Sequence, residues 1–238
     1  MLIAIGVDGA PAGWAAACLH GGDEPATELR LLTTVEQLTG LRGRASVAID
    51  VPIGLLRSVD LRPCDREARR RLRGRASTVF APPSRPMLPL AGDYPAMRAL
   101  VDQERRGSPA AKGLSAQAAA IAPKVAEVDA WARSHPACEA WLFECHPELS
   151  FAAMNGGEPL PGKRSPSGLA RRLELVRERF PDAEDRLAAA PWPRGAVGAD
   201  DLLDAYAALA TALRCARGEH ELLGGERDSE GVSMRIAV

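Results

Sequence analysis

A chain of 238 residues and 25.2 kDa is one large domain or two small ones, long enough to bury roughly 70–75% of its unfolded surface without disulfide or metal staples. With 46% apolar and 26% charged residues it has globular usage, which excludes a disordered chain. A net charge of −1 supplies no global field for nucleic acid, and no apolar run reaches the ~18 residues of a membrane span.

The opening MLIAIGVDGA carries no basic leader and runs directly into a strand pattern. Leu2 to Asp8 is an apolar run ending in an acid, and Gly9 to Gly13 is turn chemistry. Trp14 to His20 and Glu28 to Thr34 complete a three-strand meander, although the alanines of the second run are poor strand formers. Val35 to Leu41 predicts a short helix. Ala45 to Val51 predicts a buried strand that also ends in an acid, Asp50, before the breaker Pro52. Arg62 to Arg73 reads as a polar helix, and the prolines between Val79 and Pro89 preclude regular structure. An Ala-rich helix is expected from Ala110 to Arg133 with a break at Pro123, then a strand from Ala140 to Cys145. Gly156 to Gly168 is a loop, followed by helices over 169–179, 182–189 and 200–216. The pattern describes an α/β sandwich with a mixed sheet. Five scattered cysteines without a CxxC spacing exclude a disulfide scaffold or zinc knuckle and point to free thiols in a reducing cytoplasm.

Three acids stand where an apolar run ends: Asp8, Asp50 and Glu144. On the last helix, 100° per residue places Leu202, Leu203, Tyr206, Leu209, Ala210 and Leu213 on one stripe. Asp201, Asp204, Ala208, Ala212 and Cys215 lie opposite, so the helix can be packed on two faces with Asp201 and Asp204 side by side. One reading has Asp200 cap the helix while Asp201 and Asp204 complement its dipole. The other has all these acids converge, which requires a hard cation such as Mg²⁺ or Mn²⁺. Two such ions can activate water and stabilise the leaving oxygen in phosphodiester cleavage.

The stretches Gly6–Gly9 with Gly13-Trp14, Ile49–Gly54, Arg62–Arg69, Ser77–Pro83, Gly113–Gln117, Pro123–Asp129, Glu144–Glu148 with Ser150-Phe151, and Asp200–Ala205 resemble the DUF429 proteins. Those are uncharacterised proteins expected to be ribonuclease H-like nucleases. The resemblance implies a ribonuclease H-like α/β fold: a five-stranded mixed sheet flanked by helices, here one domain over 1–238 with a helical, Pro-rich insertion at about 57–135. It implies Asp8 as the first-strand metal ligand, Asp50 as the fourth-strand one, Asp201 or Asp204 on the closing helix, and Glu144 as a further ligand or supporting group.

The expected function is Mg²⁺- or Mn²⁺-dependent hydrolysis of nucleic-acid phosphodiester bonds in the cytoplasm, with Asp8, Asp50, Glu144 and Asp201 catalytic and Asp204 assisting the metal. His146 could act as acid or base or make a structural hydrogen bond; Glu148 poses the same choice, and Lys124 and Gln117 could touch a phosphate or lie on the surface. Arg62, Arg66, Arg69 and Arg73 form one helical stripe, either a solvated face or a backbone-neutralising one. Trp14, Phe80 and Phe151 are core residues or base-stacking platforms. Two other classes stay open. One is a non-catalytic binding or regulatory module. The other is a nucleotide-dependent phosphotransferase of the actin-like kind, although the chain lacks a GxxxxGK[ST] loop.

Overall fold

The computed structural model of the chain describes residues 1–107, 112–193 and 195–238. It divides into two compact units. The first comprises Met1–Asp50, Ala140–Glu221 and Ala237–Val238; the second comprises Val51–Glu139 and Leu222–Ile236. The expected insertion at 57–135 falls inside the second unit, which also takes up 222–236.

In the first unit β1 (Leu2–Ala10), β2 (Gly13–His20) and β3 (Ala26–Leu32) form the antiparallel meander. Asp8 does not end its strand: Ala10 pairs with Gly13, so β1 runs on to a two-residue turn. α1 (Gln37–Leu41) leads into β4 (Ser46–Ile49), which lies parallel to β1.

The second unit holds α2 (Pro63–Arg71), α3 (Tyr94–Gly107) and α4 (Ala116–Ser134). α3 lies where no element is expected from the sequence; its Met97 and Val101 are buried against Val59, Met87 and Ala122 in a small core. The proline-rich stretch is not wholly irregular, because Arg85–Leu90 forms a 3₁₀ helix around Pro86 and Pro89. The helix expected over 110–133 begins at Ala116, where the Ser115 hydroxyl caps it by accepting the Ala118 N–H at 3.0 Å. Its first two expected residues, 110 and 111, lie outside the described residues. α4 is also not broken at Pro123: that residue is exposed, while Ala118, Ala122, Val125, Val128, Trp131 and Ala132 are buried and hold the helix through the missing bond.

Returning to the first unit, β5 (Leu142–Glu144) lies parallel to β4, giving the spatial order β3-β2-β1-β4-β5. α5 (Pro147–Met154), α6 (Pro166–Arg179), α7 (Ala183–Ala188) and α8 (Ala199–Arg217) follow. The second unit is completed by β6 (Leu222–Arg227) and most of β7 (Ser233–Ala237). The architecture is a mixed α/β fold. No helix among the described residues is long and apolar enough to cross a membrane.

Small residues set the central packing. α8 is buried at every position from Leu202 to Leu213, as its two-faced pattern predicted, and five of those positions are alanine. A Cβ on Gly6 of β1 would come within 1.9 Å of the Leu209 amide nitrogen and 2.2 Å of the Ala205 carbonyl oxygen. The backbone of α8 therefore lies directly on the backbone of β1. The alanines of β2 serve the same end, since Ala15 and Ala17 are fully buried in the cluster that contains α8.

Candidate functional site: an acidic cluster between β1 and α8

Side chains alternate across a strand, so Asp8 shares the sheet face of Gly6, the face covered by α8. From the contact of Gly6 with Ala205 and Leu209, two residues along β1 and about one turn back along α8 lead from that contact to Asp8 and Asp204. Asp50 follows β4, and its N–H donates to the Val7 carbonyl at 2.9 Å, which fixes it beside Asp8. Ala48, two residues earlier, packs in the α8 cluster.

These three carboxylates repel one another. Burial first, then Asp50, Asp204 and Asp201, holds the Asp8 carboxyl well above its ordinary range, although the Gly9 N–H donates to it at 2.8 Å. Asp50 is pushed up to about 8, chiefly by burial and then by Asp204, with Lys163 pulling the other way. Burial also raises Asp204, and Lys163 counters it: the ammonium donates to Asp204 Oδ2 at 2.9 Å and lies 3.5 Å from Asp200 Oδ2. Burial alone would lower the Lys163 pKa, but Asp204, Asp200 and Asp8 carry it above its ordinary value.

The remaining sequence candidates separate. Asp201 turns back to accept the Gly198 N–H at 2.8 Å, so Asp201, not Asp200, satisfies the helix start, whose N-cap residue is Gly198. Its charge still reaches Asp8, but Asp204 is the buried member of the pair. Glu144 is paired with Ile49, and Phe143 with Ala48. Glu144 therefore shares the sheet face of Ile49, opposite to that of Asp8, and is buried there. His146 does not continue the strand, which ends at Glu144; it is the N-cap residue of α5, and its carbonyl accepts the Leu149 and Ser150 amides. Glu148 is spent on structure: both its oxygens accept from Arg172 Nη2, at 2.9 and 2.8 Å.

Lys124 and Gln117 lie on α4 of the second unit. The arginine stripe is not a free basic face. α2 ends at Arg71, before Arg73; Arg62 is buried, clamps Asp65 and donates to the Ile53 and Gly54 carbonyls, and Arg69 donates to the Val79 carbonyl. Trp14 and Phe151 are core residues, and all five cysteines are buried thiols outside any disulfide. The Cys145 thiol is driven up by burial and then by Asp50 and Asp8, which favours the thiol over the thiolate.

Sequence reasoning missed Lys163 and Arg172. Lys163 is one of only three lysines, a signal without any indication of where its loop would lie. Among the described residues no three His, Cys, Asp or Glu side chains form a ready-made metal cage. The donor chemistry nevertheless fits a hard divalent ion, because Asp8, Asp50 and Asp204 offer only carboxylate oxygen and Lys163 alone among the described cations bonds to them. No curated protein and no solved structure matches the chain. One family does, described as proteins of unknown function, DUF429, over residues 6–229, and the chain belongs to it.

Proposed function

We propose that the first unit is a Mg²⁺- or Mn²⁺-dependent hydrolase of nucleic-acid phosphodiester bonds, with a ribonuclease H-like core, working in the cytoplasm. The observation that carries this reading is the set of three mutually repelling carboxylates on one face of the sheet, Asp8 and Asp204 buried and Asp50 part-buried. The strand order β3-β2-β1-β4-β5, with acids on β1, after β4 and on the last long helix, supports the fold part of it. Asp8, Asp50 and Asp204 would hold the ion, which when bound lowers the pKa of water and draws charge from a phosphoryl oxygen. Asp201 adds field from the first turn of α8. Glu144 is left to brace the opposite sheet face.

The test is hydrolysis of single- and double-stranded oligonucleotides in Mg²⁺ or Mn²⁺ by wild type and Asp8→Ala. Activity in the wild type and its loss in a folded Asp8→Ala protein is the expected result. Equal turnover by the variant would sink the mechanism. The pairing of Lys163 with Asp204 favours one other reading, a non-catalytic module that uses the acidic face for binding. A wild type that binds no divalent ion, even with a nonhydrolysable oligonucleotide present, decides for that alternative.

A further inference from the structure

Away from the acidic cluster, the first unit holds a cavity of about 460 Å³ between α5, α6 and α8, within the size range of small-molecule sites. Thr211 on its wall stands about two helical turns beyond Asp204 along α8, so the cavity is separate from the carboxylates. The inner wall is buried and is formed by Ser150 of α5, Leu175 of α6, and Ala210 and Thr211 of α8. The Ser150 hydroxyl donates to the His146 carbonyl at 3.3 Å and meets the Thr211 hydroxyl at 2.8 Å. With the Ser150 proton placed there, Thr211 is the donor of the pair, and both hydroxyl protons are used within the protein. This wall asks for no charged group. Ala153 and Met154 continue it outward as half-buried apolar surface.

The mouth is charged, and its charges are unevenly matched. Glu178 accepts from Arg171 at 3.3 Å, whereas Arg179 bonds to no group among the described residues. Arg214 Nη2 donates to the Glu219 carbonyl at 2.9 Å, but its Nε–H is shut off from solvent without an acceptor. A buried donor left in that state is costly. Both arginines stand in the last turns of their helices, where a cation complements the dipole. That placement alone calls neither for a cavity nor for a donor turned away from water. An anionic oxygen entering the mouth offers Arg214 the acceptor it lacks and engages Arg179, in the forked geometry by which guanidinium groups hold carboxylates. The exposed Glu219 at the same mouth weighs against a doubly charged phosphate.

We propose that this cavity binds a small monocarboxylate with an apolar body, its carboxylate at Arg214 and Arg179 and its hydrocarbon part against Met154, Leu175 and Ala210. The site goes beyond the metal-dependent reading and stands whether or not that reading holds.

Hexanoate and benzoate are the probes, each titrated into the full chain in metal-free buffer beside the alcohol and the amine of the same carbon skeleton, with amide chemical shifts as the readout. Wild type is compared with Arg214→Met and with Ala153→Phe, which fills the cavity, each checked for native circular dichroism. At least one acid should saturate wild type, with the largest shifts around the cavity in α5, α6 and α8. Its alcohol and amine should bind at least about tenfold more weakly, Arg214→Met should weaken the acid about tenfold, and Ala153→Phe should abolish its binding. Saturation by neither acid overturns the proposal, as does an alcohol that binds as well as its acid. Undiminished binding in either variant overturns it too, and Arg214→Met, at a half-buried position near a helix end, keeps that test open if Ala153→Phe does not fold.

Discussion

In the second unit the wholly buried side chain of Asp228 meets Arg85 and accepts the amides of Leu55, Glu230 and Val232 at 2.8–3.0 Å. Arg85 also donates to Asp129, which takes a further bond from Arg133. Burial alone would raise the Asp228 carboxyl, but these donors outweigh it and hold it below its ordinary range. In the first unit Asp8, Asp50 and Asp204 are raised, because burial and like charge act together and Lys163 alone among the described cations bonds to them. The same side chain is thus built into two opposite situations. Matched carboxylates tie loops together, and undermatched ones are poised to take up charge from outside the chain.

The comparison can be broken most forcefully at Asp228. Asp228→Ala removes one of the two carboxylates that hold Arg85 and leaves three backbone donors without their acceptor, and unfolding in urea should show a loss of about 3–5 kcal/mol. A loss below about 1 kcal/mol would mean the network is not holding the second unit together.

The acidic cluster predicts the reverse sign, seen first in pH dependence without metal. Asp50 has a folded pKa of about 8, above its unfolded value. Its contribution to stability is complete below the unfolded pKa near 4 and is lost as pH rises through 8. Wild type should therefore lose on the order of 4 kcal/mol between pH 5 and 8.5, and Asp50→Asn should flatten that slope. Parallel slopes for the two proteins would contradict the assignment.

A smaller effect sharpens the contrast. At pH 8.5 Asp8→Asn should gain about 1 kcal/mol over wild type, read from the urea midpoint, because a neutral amide removes repulsion; a loss would show that Asp8 is structurally matched like Asp228. The smallest effect belongs to the half-exposed Arg30, which clasps Glu28 at 2.9 Å. Arg30→Ala should change stability by about 0.5 kcal/mol or less, since exposed pairs contribute little.

Much of the first unit is legible in the sequence because β1, β2 and β4 are dominated by apolar residues and α8 is apolar on two sides. The acids of the cluster were legible for the same reason, since a carboxylate beside a buried run stands out. Parity was not legible: whether Glu144 faces with Asp8 depends on pairing Ile49 with Glu144 rather than with Phe143, and β5 is three residues long. α3 carried a readable signal in Asp93, whose carboxylate accepts the Ala96 amide at 3.0 Å, ahead of Met97, Leu100 and Val101. β6 gave none, with Gly224 and Gly225 inside it and exposed charges around them. Lys163 lay beyond reach because a loop's destination is a tertiary fact.

The backbone contact at Gly6 has a consequence for how this site responds to change. Where a helix rests on a strand through side chains, every core substitution shifts their separation. Here the main chains touch, so the spacing between Asp8 and Asp204 is gauged by peptide atoms, which do not mutate. Substitutions elsewhere in the core can loosen the protein without recalibrating its carboxylates, whereas any residue but glycine at position 6 prises the gauge apart.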